Sequence, residues 1–266
     1  MTTIVSDFNA VDEIIHICNW IKDYFSANGP GCNAIIGISG GKDSTVAAAL
    51  LVKALGKDRV IGVQMPNGEQ HDIDISNEVI SFLGIKSINV DIGEACDALY
   101  SAISWGDCTE NPKITTNTPA RLRMTTLYAI AAMYNGRVVN TCNYSEDFVG
   151  YSTKFGDAAG DFGFLKNYTV TEVKLIGRAL DLPDKFIDKI PEDGMCGKSD
   201  EDNLGFSYDV LDDFLINVAY PSAEIYEKIE QMHKRAEHKE KRMPVCPLGK
   251  SAKKNRRKWL CYDWEF

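Results

Sequence analysis

The six residues Ser39-Gly40-Gly41-Lys42-Asp43-Ser44 stand between an apolar run, NAIIGIS, and a small-residue stretch, DSTVAAALLVKAL. The first reads as a buried strand and the second as a helix, so the glycines fall at a strand-to-helix turn. Glycine lets the backbone come close to a ligand there, and the N–H groups opening the helix are unpaired donors at the positive end of its dipole. Such a turn is a cradle for an anion. Lys42 adds a point charge suited to phosphate, and Ser39 and Ser44 add hydroxyl donors. Asp43 sits badly beside bare phosphate unless a divalent cation lies between them, so the turn asks for a nucleotide with magnesium. It is not the phosphate loop GxxxxGK[ST], because Asp43 follows Lys42.

The strand–helix alternation continues. VIGVQM reads as a strand, DIDISNEVISFLG as a helix and IKSINVDI as a third strand. This order predicts right-handed crossovers and a Rossmann-like, doubly wound α/β fold, its mostly parallel sheet flanked by helices. Residues 8–25 carry apolar residues at helical period and predict a leading amphipathic helix. TPARLRMTTLYAIAAMYNG predicts a helix ending at Gly136, followed by a short strand, RVVNT. The stretch from Cys142 to Tyr168 has no clean period and carries four glycines, which predicts a long binding loop. Residues 169–183 read as a helix capped by Thr169 and stopped by Pro183, and 192–215 open with turn chemistry before resuming a helical period. Residues 221–242 form the last expected helix, ahead of a tail at about 245–266. No repeat or linker interrupts the chain, so one domain over 1–266 is expected.

The charge balance narrows the partners. With 38 acidic against 29 basic residues and a net charge of -9, a nucleic-acid backbone would meet a repulsive body. None of the eight cysteines forms a CxxC pair, which argues against a zinc or iron–sulfur centre. No 18-residue apolar run and no basic-then-apolar leader is present, so the expectation is no membrane span and a cytoplasmic protein with reduced thiols.

The spelling SGGKDS after a strand resembles the pyrophosphate loop of the ATP pyrophosphatases, whose fold is adenine nucleotide alpha-hydrolase-like. Within that class, three later stretches are similar to the NAD synthetase family. NTPARLRMTTLYAIA matches its N-x-x-A-R-x-R-M-x-x-x-Y-x-I-A helix, NTCNYSEDFVGYSTKFGDAAGD its T-x(4)-E-x(7)-K-x-G-D-x(3)-D loop, and SDEDNLGFSYDVLDDFL its S-D-E-x-x-L-G-x-S-Y segment. The resemblance implies ammonia-dependent amidation of deamido-NAD to NAD, with ATP as co-substrate and magnesium as cofactor. Carried over residue by residue, Gly37, Ile38, Ser39, Gly40, Gly41, Lys42, Asp43 and Ser44 would hold the ATP phosphates, and Thr141 would contact ATP. Asp43 and Glu146 would be magnesium ligands, with Lys42 sharing the catalytic work. Arg121, Lys154, Asp161, His238 and Lys239 match contacts to deamido-NAD.

Two positions depart from the family. Val170 stands where a phosphate-binding lysine is usual, and Glu192 where Ser or Thr after a proline touches ATP; Lys166, four residues before Val170, is the candidate substitute cation. Only 36 residues precede Gly37, too few for a glutamine-hydrolysing domain, so free ammonia is the expected donor. The resemblance also implies a homodimer packed through helices like that at 119–135. Two rival readings stay open: an adenylating enzyme acting on tRNA or a deazaguanine, and a nucleotide-binding relative without turnover.

Overall fold

Short runs of β-branched and apolar residues order the sheet, and helices return the chain after each strand. The computed structural model describes residues 8–68, 73–103, 112–189, 200–241 and 243–246. Helix α1 (Ala10–Asn28) leads into β1 (Asn33–Gly37), α2 (Lys42–Leu55), β2 (Val60–Gln64), α3 (Ile73–Leu83) and β3 (Lys86–Asn89). There follow α4 (Gly93–Ile103), α5 (Pro112–Met133), β4 (Gly136–Val138), α6 (Tyr144–Val149) and α7 (Val170–Ala179). Helices α8 (Asp184–Ile187), α9 (Asp200–Leu204), α10 (Tyr208–Leu215) and α11 (Ala223–Glu240) complete the described chain.

The four strands are parallel in the order β3-β2-β1-β4, with Ile35 of β1 opposite both Ile61 of β2 and Val138 of β4. The chain winds outward from β1 through β2 to β3, then crosses back to place β4 on the other side of β1. That reversal opens a crevice beyond the carboxyl ends of β1 and β4, the topological switch point where open α/β sheets bind ligands.

The faces of β1 and β2 are apolar because they are covered, whereas the edge strand β3 leaves Lys86, Ser87 and Asn89 exposed. Ala34, Ile36 and Ile38 pack with Phe25, Leu50, Leu51 and Ile176 on one side, while Ile35, Ile61, Val63 and Val138 pack with Met124, Leu127 and Ile130 of α5 on the other. Each fully buried leucine or isoleucine here contributes about 2 kcal/mol relative to an exposed one. A third cluster, Val149, Val170, Leu204, Phe206, Tyr208, Leu211 and Ile229, joins α6, α7, α9, α10 and α11 into one apolar body.

Some boundaries differ from the sequence reading. Helix α5 starts at Pro112 and runs through Pro119, rather than starting beside that proline. A proline removes one helical hydrogen bond, and here packing of the later turns against the sheet outweighs that loss. Helix α4 carried no expectation. The expected long loop contains α6, and the expected helix over the end of 192–215 divides into α9 and α10, with Ser207 capping the second through the Val210 N–H. Glu192, the start of that segment and the basic run from Lys250 to Lys258 lie outside the described residues. No helix among the described residues is long and apolar enough to cross a membrane.

Candidate active site

The loops after β1 and β4 meet at the switch point. Gly40 takes a positive φ of +82°, and a Cβ there would come within 3.1 Å of the Ser76 backbone nitrogen, so only glycine fits this turn without strain. Gly41 then opens α2 with no side-chain cap, whereas α1, α6, α7, α10 and α11 are capped by Asn9, Asn143, Thr169, Ser207 and Ser222. A 14-residue helix left uncapped at a ligand crevice presents its dipole and first N–H groups to an anion. Ser39 Oγ accepts from the Gly41 N–H at 3.2 Å and lies 3.1 Å from Ser44 Oγ, fixing both hydroxyls in the turn. Ile38 points its side chain into the core, and its N–H donates to the Val63 carbonyl, so its remaining backbone group for a ligand is its carbonyl.

Lys42, at the first helical position of α2, is 3 % exposed. Its Nζ lies 2.9 Å from Asp43 Oδ2 and 3.5 Å from Glu146 Oε1, and 5.7 Å from the centre of the Tyr208 ring. Burial alone would lower the Lys42 pKa, but the two carboxylates outweigh it and hold the ammonium charged. Burial, then the charge of Asp43, push the Glu146 carboxyl up to about 8 against the pull of Lys42. One cation thus serves two acids. A second, divalent cation would stabilise both ionised.

Asn143 completes the arrangement. Its Oδ1 accepts from the Glu146 N–H at 3.0 Å and caps α6, while its Nδ2 donates to Asp43 Oδ1 at 3.0 Å. Thr141 lies half-buried in the same turn after β4. Among the described residues no group of three or more His, Cys, Asp or Glu side chains converges as a metal cage. Two carboxylates are the donor set for magnesium, which keeps waters and takes further oxygens from substrate phosphates.

The other expected binding residues gather on the loop after α6 and on the end of α11. Lys239 Nζ donates to the carbonyls of Gly150 (2.6 Å) and Ser152 (2.7 Å), Lys154 Nζ donates to the His238 carbonyl, and Arg121 Nε donates to the Lys154 carbonyl at 3.3 Å. His238 is exposed, its Nδ1 2.8 Å from the Arg235 carbonyl. Asp161 stands apart from this clasp, at the edge of β4: its carboxylate accepts from the Val138 N–H (2.8 Å) and the Tyr128 hydroxyl (3.2 Å).

The departures look different in three dimensions. Val170 is 2 % exposed within the third core cluster, and its N–H donates to Ser145 Oγ, which in turn donates to buried Asp212. Asp212 also accepts from the Thr171 N–H at 2.7 Å, so an internal acid already answers the start of α7. Lys166, the candidate substitute cation, pairs with Asp147 and Glu240.

Sequence reasoning passed over Asn143, which lies at an unspecified position of the T-x(4)-E pattern, and gave no role to Tyr208, the last residue of the matched S-D-E-x-x-L-G-x-S-Y segment, whose buried hydroxyl has no hydrogen-bond partner among the described residues. The first carried a signal, since Asn three residues before Glu is a helix-opening pattern related to the capping box. The second carried the signal of a matched pattern position, without a role attached to it.

Comparisons with known proteins agree with this fold. A family model described as NAD synthase matches residues 13–244. The NH(3)-dependent NAD(+) synthetase of Pyrococcus furiosus is 37% identical over 227 residues, covering 80% of this chain and 87% of that protein. The solved structure of the NMN synthetase from Francisella tularensis superposes with a TM-score of 0.82 at 37% identity, covering 91% of this chain and 99% of that one. The NAD+ synthetase of Burkholderia pseudomallei superposes with a TM-score of 0.72 at 26% identity, covering 90% and 92%.

Proposed function

The chain belongs to the NAD synthase family, and on that premise we propose how its own residues divide the work of ammonia-dependent NAD synthesis. ATP is the co-substrate that activates the nicotinate carboxylate of deamido-NAD. The carboxylate attacks the α-phosphorus, pyrophosphate departs, and ammonia displaces AMP from the acyl-adenylate to leave the amide. No nucleophilic side chain is needed.

The turn from Gly37 to Ser44 binds the triphosphate through main-chain donors, the two serine hydroxyls and the dipole of α2. Thr141 contacts the nucleotide from the neighbouring turn. Lys42 exchanges its carboxylate partners for phosphate oxygens as ATP enters, and stabilises the charge that builds on the leaving pyrophosphate. Asp43 and Glu146 would hold Mg2+, which when bound supplies neutralisation of that same charge. Arg121, Lys154, Asp161, His238 and Lys239 position deamido-NAD. A homodimer through α5 accords with exposed Tyr128 and Met133, the latter 75% exposed.

One observation supports this reading above others: Lys42, Asp43 and Glu146, brought in by two loops 104 residues apart, converge at the switch point. The test supplies deamido-NAD, ATP, magnesium and varied ammonium, and measures NAD, AMP and pyrophosphate. NAD and AMP forming in equal amounts, with a rate that rises with ammonium, is the expected result. Nucleotide binding without pyrophosphate release would instead make the protein a nucleotide-binding relative without turnover.

A second reading concerns the size of the substrate. The NMN synthetase structure covers nearly its whole length in this comparison and superposes with a higher TM-score than the NAD+ synthetase reported beside it. Amidation of the mononucleotide is therefore run in parallel, and the ratio of the two kcat/KM values decides between them.

A further inference from the structure

Asn143 is fully buried, at 0% exposure, on the turn between β4 and α6, and both ends of its side-chain amide are used. The carbonyl end caps α6 through the Glu146 N–H, which sets where that helix begins and hence where Glu146 stands. The amino end donates to Asp43 Oδ1 across a separation of 100 residues, while the other oxygen of Asp43 faces Lys42. One side chain therefore ties the acid delivered by the first loop to the acid delivered by the second.

We propose that Asn143 is a positioning residue that holds Asp43 and Glu146 in register to share one divalent cation with the triphosphate. The inference rests on the assignment of those two acids as the metal-holding pair. Few residues meet both demands. Aspartate would cap α6 but bring a third carboxylate against Asp43 with no proton to donate. Glutamine carries the amide one methylene further out, and a leucine of similar bulk leaves the Glu146 N–H and Asp43 Oδ1 without their buried partner. Serine caps a helix about as well as asparagine but is too short to span to Asp43. It therefore separates the two functions of the amide.

The experiment measures Mn(II) binding by the loss of its free-ion electron paramagnetic resonance signal, in the presence of α,β-methylene ATP. Wild type, Asn143→Ser, Asn143→Ala and Asp43→Asn are compared, and the affinity of each for the analogue in EDTA is measured separately. Asn143→Ser is expected to weaken Mn(II) binding about tenfold to a hundredfold, the range for partners that orient metal ligands. Its affinity for the metal-free nucleotide should stay at the wild-type level, and its melting temperature should lie above that of Asn143→Ala. Wild-type Mn(II) affinity in Asn143→Ser, with Asp43→Asn deficient, would overturn the positioning role and spare the metal assignment. Unchanged Mn(II) binding in Asp43→Asn would overturn both. An equal loss of metal-free nucleotide binding in Asn143→Ser would mean that the substitution damages the turn generally, and would also overturn the proposal.

Discussion

The Lys42 ammonium stands 3.5 Å from the Glu146 carboxylate although 104 residues separate them in the chain. The Lys42 side chain is buried and that of Glu146 is only partly exposed. The pair, with Asp43 beside it, forms a small charged cluster bordered by the Tyr208 ring and the Asn143 amide.

Removing the cation should cost more than activity. Lys42→Met leaves two acids facing each other with no counter-charge, and breaking a buried ionic group by deleting one partner costs about 3 kcal/mol. Urea unfolding at pH 8 is expected to show that loss, with a smaller one at pH 5, where Glu146 takes up a proton. An equal loss at both pH values would contradict the cluster.

Glu146 should also leave a mark on the pH dependence of stability. Its folded pKa is raised from 4.5 to about 8, first by burial and then by Asp43. A raised acid favours the protonated form in the folded state, so its ionisation destabilises the fold increasingly as pH rises from about 4.5 to about 8. Below that window the penalty is absent, and above it the penalty is complete. In EDTA, the wild type should lose melting temperature across this range relative to Glu146→Gln, and saturating magnesium with a nucleotide analogue should shrink the difference. Parallel pH profiles for the two proteins in EDTA would refute the assignment.

Placing at position 170 the lysine that the family resemblance leads one to expect should not improve ATP binding. Val170 belongs to the apolar cluster of Val149, Leu204, Phe206 and Leu211, where an ammonium would be buried at a cost. Val170→Lys is expected to melt lower than the wild type without a gain in ATP affinity. Tighter ATP binding at unchanged stability would show that the valine is a loss rather than a repacking.

Gly150 ends α6 at φ +71°, and a Cβ there would meet the Ala236 Cβ at 2.4 Å. Gly150→Ala should therefore push α11 away from α6, costing about 1–3 kcal/mol and loosening the Lys239 contacts to the loop. KM for deamido-NAD should rise more than kcat falls. Adding Ala236→Gly should recover part of the stability by relieving the clash but not the backbone strain. No recovery in the double variant would place the cost elsewhere.

Much of this was legible beforehand, for local reasons. An apolar run, a glycine turn and a small-residue helix identify β1, its loop and α2 without any distant contact. Lys42 and Asp43 were readable because a phosphate turn needs that chemistry at that spot, and Glu146 through the spacing of a resembling loop. Asn143 was legible as a helix cap but not as the partner of Asp43, because a buried asparagine and a loop asparagine look alike until the chain returns to Asp43. The partners of Lys166 were hidden for the same reason: only the fold brings Asp147 and Glu240 to it.

By itself the sequence determined the periodicities, the turn that only glycine allows, and hence a parallel sheet with an anion cradle at the end of its first strand. Tertiary structure alone decided that β4 should lie beside β1, since strand order is set by which apolar faces cover one another and no local pattern encodes it. That choice put Glu146 against Lys42 and Asp43, and it made Val170 part of the core. Electrostatic partners act through a few ångströms of space, whatever the distance along the chain.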